Sequence, residues 1–307
     1  QGDSRDPGPG PMNAAARSDG WLRAMPAVFV LIWSTGFIVA RYAMPHAPPL
    51  KFLAVRFALS STCFFVWVLA AGVAWPRSRA QALHLAVTGI LMQAGYLGGV
   101  WAAVKAGMGS GLVALLVGIQ PVLTAVWMSF HGGRIAPRQW LGLALGFAGL
   151  ALVVARKLGQ GGEVNALTMS LALLALLSIT AGTLYQKRFV APCDVRSASA
   201  VQQMAALAIT LPLALLLEPS SIEWTVGSVG AMAWSVVALT LGGSSLLYML
   251  IQRGTATAVT SLLYLVPPCT AVMAWLLFGE PITVLTVAGI ALTAAGVSLV
   301  VREPRAG

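Results

Sequence analysis

One apolar stretch of this chain, Leu112–Phe130, is long enough to cross a bilayer yet carries Gln120-Pro121 at its middle, where an unbroken membrane helix has little use for a proline. The chain repeats the arrangement: Ala258–Phe278 holds Pro267-Pro268 at its centre. Pro121 and Pro268 lie 147 positions apart, and at that offset other residues align without a gap: Leu115-Leu116 with Leu262-Leu263, Ile135 with Ile282, Gly142 with Gly289, Gly149 with Gly296, and Val153-Val154 with Val300-Val301. Proline-interrupted spans at matching places in two halves are the sequence mark of a binding site between repeats that move against each other in a membrane.

The rest of the chain supports a membrane protein. Only 9% of its 307 residues are charged and 58% are hydrophobic, against about 25% charged in a soluble domain. Ten apolar runs follow one another: Pro26–Met44, Leu50–Gly72, Ala82–Val104, Leu112–Phe130, Trp140–Ala155, Leu167–Gln186, Ala198–Leu217, Val226–Ile251, Ala258–Phe278 and Thr283–Val301. About 20 residues of helix cross the hydrocarbon, and backbone groups in lipid must be satisfied within their own segment, so these runs are helices rather than strands. The predicted fold class is an all-α membrane protein with ten transmembrane helices. Five spans per half is an odd number, so the halves enter the membrane in opposite senses, as two inverted five-helix repeats.

The excess of 19 Lys and Arg over 9 Asp and Glu marks a side of the membrane rather than a nucleic-acid surface. With the amino terminus inside, 13 of those 19 basic residues fall on the inner side, which predicts both termini in the cytoplasm. Residues 1–24 read as a disordered cytoplasmic tail, with Met12 the expected natural start. Residues 25–158 form the first repeat, and 159–307 the second with a short cytoplasmic end. Three cysteines, Cys63, Cys193 and Cys269, are an odd number without metal-ligand spacing, and no disulfide framework, metal or cofactor is expected.

The sequence resembles the EamA family of the drug/metabolite transporter superfamily. The resemblance is carried by Trp33-Ser34-Thr35-Gly36-Phe37, Val55-Arg56-Phe57, Gln120-Pro121, Pro268 followed by Gly279-Glu280, and Gly289 with Gly296. It implies ten helices, inverted repeats, and export of amino acids or similar metabolites across the cell inner membrane. One departure is that Gly132-Gly133 stands in the first repeat where Gly279-Glu280 stands in the second.

Polar and aromatic groups within the spans are the candidates for contact with a solute, because a charged group at mid-membrane costs about 2.5–3.5 kcal/mol on insertion scales. Gln93, Gln120, Trp33, Tyr96, Trp101, Tyr185, Tyr248 and Tyr264 form that set, with Pro121, Pro267 and Pro268 as the helix breaks. Proline frees backbone groups nearby, which places spans 4 and 9 at the solute; a plain packing kink is the other reading. Aromatic walls with a few amide dipoles suit a neutral or zwitterionic organic solute, although Trp and Tyr also gather at membrane interfaces. Arg56 either snorkels to the surface or holds a substrate carboxylate. Glu280 reads as a loop or helix-start residue, and the glycines of spans 5 and 10 as packing surfaces, within one chain or between two.

Other classes find little support. No phosphate-binding loop for ATP is present. Ser110 lies in Gly109-Ser110-Gly111, its repeat counterpart is Thr257, and that parallel fits helix capping rather than an intramembrane nucleophile. A channel would carry a polar stripe along several spans, which is absent. Without an Asp or Glu in the middle of any span, facilitated export is expected. The solute is expected to be a neutral or aromatic amino acid, with purines, sugars and drugs as alternatives. One copy suffices, and a homodimer is possible.

Overall fold

The computed structural model describes residues 12–130, 137–157, 162–246 and 263–301. The first half comprises α1 (Met12–Ala43), α2 (Pro49–Ala70), α3 (Arg79–Gly89), a π-helical segment at Ile90–Gly95, α4 (Tyr96–Lys105), α5 (Ser110–Val117), α6 (Gln120–Phe130) and α7 (Pro137–Lys157). The second comprises α8 (Ala166–Phe189), α9 (Val195–Leu217), α10 (Val226–Trp234), a second π-helical segment at Ser235–Gly242, a 3-10 turn at Leu263–Leu265, α11 (Val266–Phe278) and α12 (Val284–Val301). No strand occurs among the described residues.

Six continuous helical stretches are long and apolar enough to span a membrane, and four shorter apolar helices at Ser110–Thr124, Trp140–Ala155, Val266–Phe278 and Val284–Leu299 complete the ten. Their outward faces are aliphatic: Leu216 is 80% exposed and Val226 93%. Patches of that kind are uncommon on proteins in water and match hydrocarbon.

Three local features differ from the reading of the sequence. Helix α1 begins at Met12, inside the stretch read as a disordered tail; Ala14-Ala15-Ala16 has the highest intrinsic helix propensity. The prolines act differently in the two halves. In span 4 the helix breaks at Gly118-Ile119, just after α5 ends at Val117. That is where the ring of Pro121 would meet the carbonyl four residues back. Pro267 and Pro268, expected at mid-span, instead occupy the first turn of α11, where a missing N–H is no loss. Third, spans 3 and 8 each contain a π-helical segment, and the two overlap at the repeat offset, with Gly95 matching Gly242. Such segments are frequent at functional sites. In the second, Thr240 Oγ1 donates to the carbonyl of Ser235, five residues back, at 2.9 Å.

The repeats interlock through matching pairs of helices. Helices α7 and α12 pack along glycines: a Cβ placed on Gly149 would lie 2.5 Å from the Gly289 carbonyl oxygen, and one on Gly296 2.4 Å from that of Gly142. These glycines therefore join spans 5 and 10 of a single chain. Helices α2 and α9 form a second repeat-related pair, and the two breaks meet, since a Cβ on Gly118 would come within 2.9 Å of Pro267 Cγ.

Candidate functional site

Six spans enclose a cavity of about 120 Å³. Helix α1 contributes Trp33, Gly36 and Phe37; α2 contributes Arg56; the first π segment and α4 contribute Met92, Gln93, Tyr96, Leu97, Val100 and Trp101. From the second half come Ile179 of α8, Gln203 of α9, Leu239 and Thr240 of the second π segment, and Ser244. Four lining pairs stand at the offset of 147 positions: Arg56 with Gln203, Met92 with Leu239, Gln93 with Thr240, and Leu97 with Ser244. The hollow therefore lies where the two inverted repeats face each other.

The π segments explain how so many side chains reach one place. Their wider turn shifts the register of spans 3 and 8, turning Met92 and Gln93, and Leu239 and Thr240, toward the same space. The five residues Trp33–Phe37 are divided around α1. Trp33, Gly36 and Phe37 face the cavity. Ser34 Oγ donates to the Val30 carbonyl at 2.7 Å, and Thr35 Oγ1 accepts from Trp234 Nε1 at 2.9 Å.

Four of the sequence candidates thus share one cavity: Trp33, Gln93, Tyr96 and Trp101. Gln120 does not line it; its Nε2 donates to Thr183 Oγ1 at 2.9 Å, tying the break in span 4 to α8. Tyr185 lies elsewhere, its hydroxyl 2.8 Å from His84 Nδ1 and its ring 4.7 Å from that of Phe189. Pro121, Pro267 and Pro268 are not among the lining residues, because spans 4 and 9 place their breaks against each other. Tyr248 and the Tyr264 side chain fall outside the described residues.

Arg56 overturns its snorkelling interpretation. It is only 7% exposed and faces the cavity, and it is the one charged side chain in the buried class among the described residues. Its Nη2 and Nε donate to Thr240 Oγ1 at 3.2 and 3.4 Å. Gln203 is 3% exposed, and its Oε1 has no partner among the described residues. Thr240 is not among the sequence candidates, Arg56 enters them only as the alternative to snorkelling, and Gln203 is the polar residue of span 7 at the position that matches Arg56. The signal that finds them is the repeat itself, because Thr240 stands where the other half has Gln93.

A larger vestibule of about 700 Å³ opens beside the cavity, lined by Arg41, Tyr42, His46, Lys105, Thr225 and Phe278 among others. Two helices line both hollows. Phe37 and Trp101 face the cavity; Arg41 and Lys105, four residues on, face the vestibule. Trp101 is 1% exposed and stacks on Phe52 at 4.8 Å between ring centroids. Phe37 and Trp101 thus lie one helical turn from the residues that line the vestibule.

The arrangement can bind and release a small solute. Its similarities agree. The EamA-like transporter family matches residues 24–155 and again 166–302. A Bacillus subtilis protein called uncharacterized transporter YvbV is 26% identical over 91% of each chain. The uncharacterized inner membrane transporter YedA of Escherichia coli is 28% identical over 80% of each. A probable amino-acid metabolite efflux pump of Salmonella typhimurium is 26% identical, covering 92% of this chain and 94% of its own. A crystal structure sharing 20% identity superposes with a TM-score of 0.65 over 90% of this chain and 94% of the other, which shows the same fold.

Proposed function

The chain belongs to the EamA-like transporter family, and on that premise we propose that it exports small metabolites, foremost neutral or aromatic amino acids, across the inner membrane by alternating access. The observation that carries this reading is the cavity between the repeats, lined by four pairs at one sequence offset. Two inverted units around a shared site exchange roles when they rock, so a site opened to one face closes and opens to the other without a catalytic residue. Trp33, Gln93, Tyr96 and Trp101 are the proposed solute contacts. Both termini are assigned to the cytoplasm by the distribution of basic residues.

Size supports a small solute. Pockets for drug-sized ligands run to about 300–1,000 Å³, and the cavity holds about 120 Å³. The relative named for amino-acid metabolite efflux supports the amino-acid class. No Asp or Glu lines the cavity among the described residues, which favours export down the solute's own gradient.

Purified protein in liposomes tests the reading. Saturable counterflow of leucine or phenylalanine, unchanged when a pH gradient is collapsed, is expected. Ohmic conductance with no counterflow would replace the carrier with a channel. Counterflow that vanishes with the pH gradient would overturn the facilitated mechanism.

A further inference from the structure

We propose that Arg56 anchors the carboxylate of the transported solute, with Gln203 accepting a hydrogen bond from its ammonium group. The inference rests on the carrier reading above and narrows it: the solute must bear a carboxylate, and the decarboxylated amine of the same shape is not recognised.

Arg56 lies seven residues beyond Pro49, the first residue of α2, or about 10 Å along the helix. It points into the cavity rather than to either face. An intramembrane cation is costly, and such groups pair with an opposite charge or mark a substrate path. No carboxylate among the described residues is within ion-pair distance of Arg56. Its one hydrogen-bond partner among them is Thr240, a neutral hydroxyl reached by two nitrogens at 3.2 and 3.4 Å. A guanidinium carries five donors in a planar fork that matches a carboxylate in two parallel bonds. The fork is thus buried at a solute-sized hollow with most of its donors unassigned.

Gln203 supplies the second observation. It occupies the position in the second repeat that Arg56 occupies in the first, it lines the same cavity, and its buried Oε1 lacks a partner among the described residues. A buried unsatisfied acceptor is uncommon in a folded protein. Where the pseudo-symmetry would place a second cation, this chain has an amide, so the cavity carries one positive end and one neutral accepting end. A zwitterion fits both: its carboxylate meets the guanidinium and its ammonium meets the amide oxygen. The aromatic and aliphatic walls, Trp33, Tyr96 and Leu239, remain for its side chain.

The test uses matched solutes. Leucine and phenylalanine are compared with isoamylamine and phenethylamine, which lack the carboxylate, and with 4-methylpentanoate and 3-phenylpropionate, which lack the ammonium. Thermal stabilisation of the purified protein reads binding, and counterflow reads transport of the amino acids. The wild type is expected to be stabilised by the amino acids, less by the acids, and not by the amines. Arg56→Gln should weaken apparent affinity for carboxylates at least tenfold, with partial recovery in Arg56→Lys. Gln203→Leu should bring the amino acids and the simple acids to the same affinity.

Amines that stabilise the wild type as well as their parent amino acids would overturn the proposal, and that comparison needs no variant. So would a folded Arg56→Gln protein that retains wild-type affinity, even while amino-acid counterflow upholds the carrier reading. Binding of the simple acids but of no amino acid, lost in Arg56→Gln, would keep the Arg56 anchor and remove the amino-acid reading. A wild type that binds and carries none of the carboxylates would overturn both.

Discussion

The carboxylate of Glu280, just beyond α11 in the second repeat, caps the helix that starts at Ser110 in the first. Its Oε1 accepts from Ser110 N and Ser110 Oγ, each at 3.1 Å, and its Oε2 from Gly111 N at 3.4 Å. The loop reading of Glu280 is thereby sharpened into a bond between repeats. Glu218, at the end of α9, does the same for α2, accepting from Leu50 N at 2.9 Å and Lys51 N at 2.8 Å. At the repeat offset the partners of Glu280 and Glu218 are Gly133 and Ala71, neither of which has a side-chain acceptor. The face holding the vestibule is latched by two carboxylates on helix amino termini, and the opposite face has no equivalent pair of residues.

Removing a latch should both destabilise the fold and shift its conformational balance. Loss of a helix-capping side chain costs about 0.5–2 kcal/mol, with favourable interaction of the charge and the helix dipole lost in addition. Glu280→Ala and Glu218→Ala are each expected to lower the thermal unfolding midpoint, and Glu280→Gln to lower it less. If the two latches hold the repeats together at the vestibule face, the double alanine variant should open it further. A cysteine placed at Phe37, which is 4% exposed, should then react faster with a membrane-impermeant maleimide, in a background where the three natural cysteines are serine. Equal labelling with and without the latches would mean that they hold the helices without biasing the repeats.

The glycine contact between α7 and α12 predicts a position-specific effect of one methyl group. A Cβ on Gly149 would meet the Gly289 carbonyl oxygen at 2.5 Å, and one on Gly296 would meet Gly146 N at 2.5 Å. Backbone atoms cannot swing aside, so the helices must separate. Overpacking of that kind costs about 1–3 kcal/mol. Gly149→Ala and Gly296→Ala should each lower the unfolding midpoint measured in detergent. Gly230→Ala is the control: no atom lies within 4 Å of its Cβ, and in a helix interior alanine is the better former, so the midpoint should stay level or rise.

The contrast between these features shows which parts of the protein were legible in its sequence. The spans, their count and the inverted repeat follow from hydropathy and one offset, because lipid forces every backbone group to bond within its own helix. Trp33, Gln93, Tyr96 and Trp101, which share the cavity, stand out in the sequence because polar and aromatic groups within apolar runs are few. Arg56 stays between two readings because a one-dimensional sequence cannot distinguish a side chain that reaches the surface from one that faces a hollow. The π segments leave no periodic signature, and their effect is a register shift that exists only once neighbouring helices are in place. Caps such as Glu280 on Ser110 join residues 170 positions apart, and no local motif announces them. The prolines drew attention to spans 4 and 9, whose described residues instead pack break against break.

Asp194 gives a pH dependence with a definite sign. Its carboxylate accepts from the Arg196 backbone N at 2.9 Å and from Arg196 Nε and Nη2 at 3.0 and 2.8 Å, at the amino terminus of α9 and outside the span. The hydrogen bond from the Arg196 side chain is the largest influence on its pKa; burial, the next, raises it, and with the Arg196 backbone bond and charge added the net result lies below the ordinary carboxylate value. A pKa depressed in the folded state adds stability that is present above the unfolded pKa, about 3.9, and is lost as pH falls through the folded value. The wild type should therefore unfold at a higher temperature than Asp194→Ala at pH 7. The difference should narrow below about pH 4. A gap that persists unchanged into acid would assign the cap's contribution to something other than the ionised carboxylate.

Trp101 provides the last test, because it lines the cavity and lies one turn from the vestibule. Its ring lines the cavity, stacks on Phe52 at 4.8 Å, and lies one turn before Lys105 of the vestibule. Truncating a large buried aromatic costs about 3–5 kcal/mol, so Trp101→Ala should be markedly less stable, whereas Trp101→Phe keeps a ring against Phe52 and should lose less. Stability alone does not identify a partition; leakage does. If the Phe37–Trp101 layer separates vestibule from cavity, Trp101→Ala in liposomes should add a non-saturable flux of the solute to the saturable one, and Trp101→Phe should remain saturable. Should Trp101→Ala remain folded and fully saturable, the partition must be formed by other residues, and Trp101 would be left as a wall of the cavity.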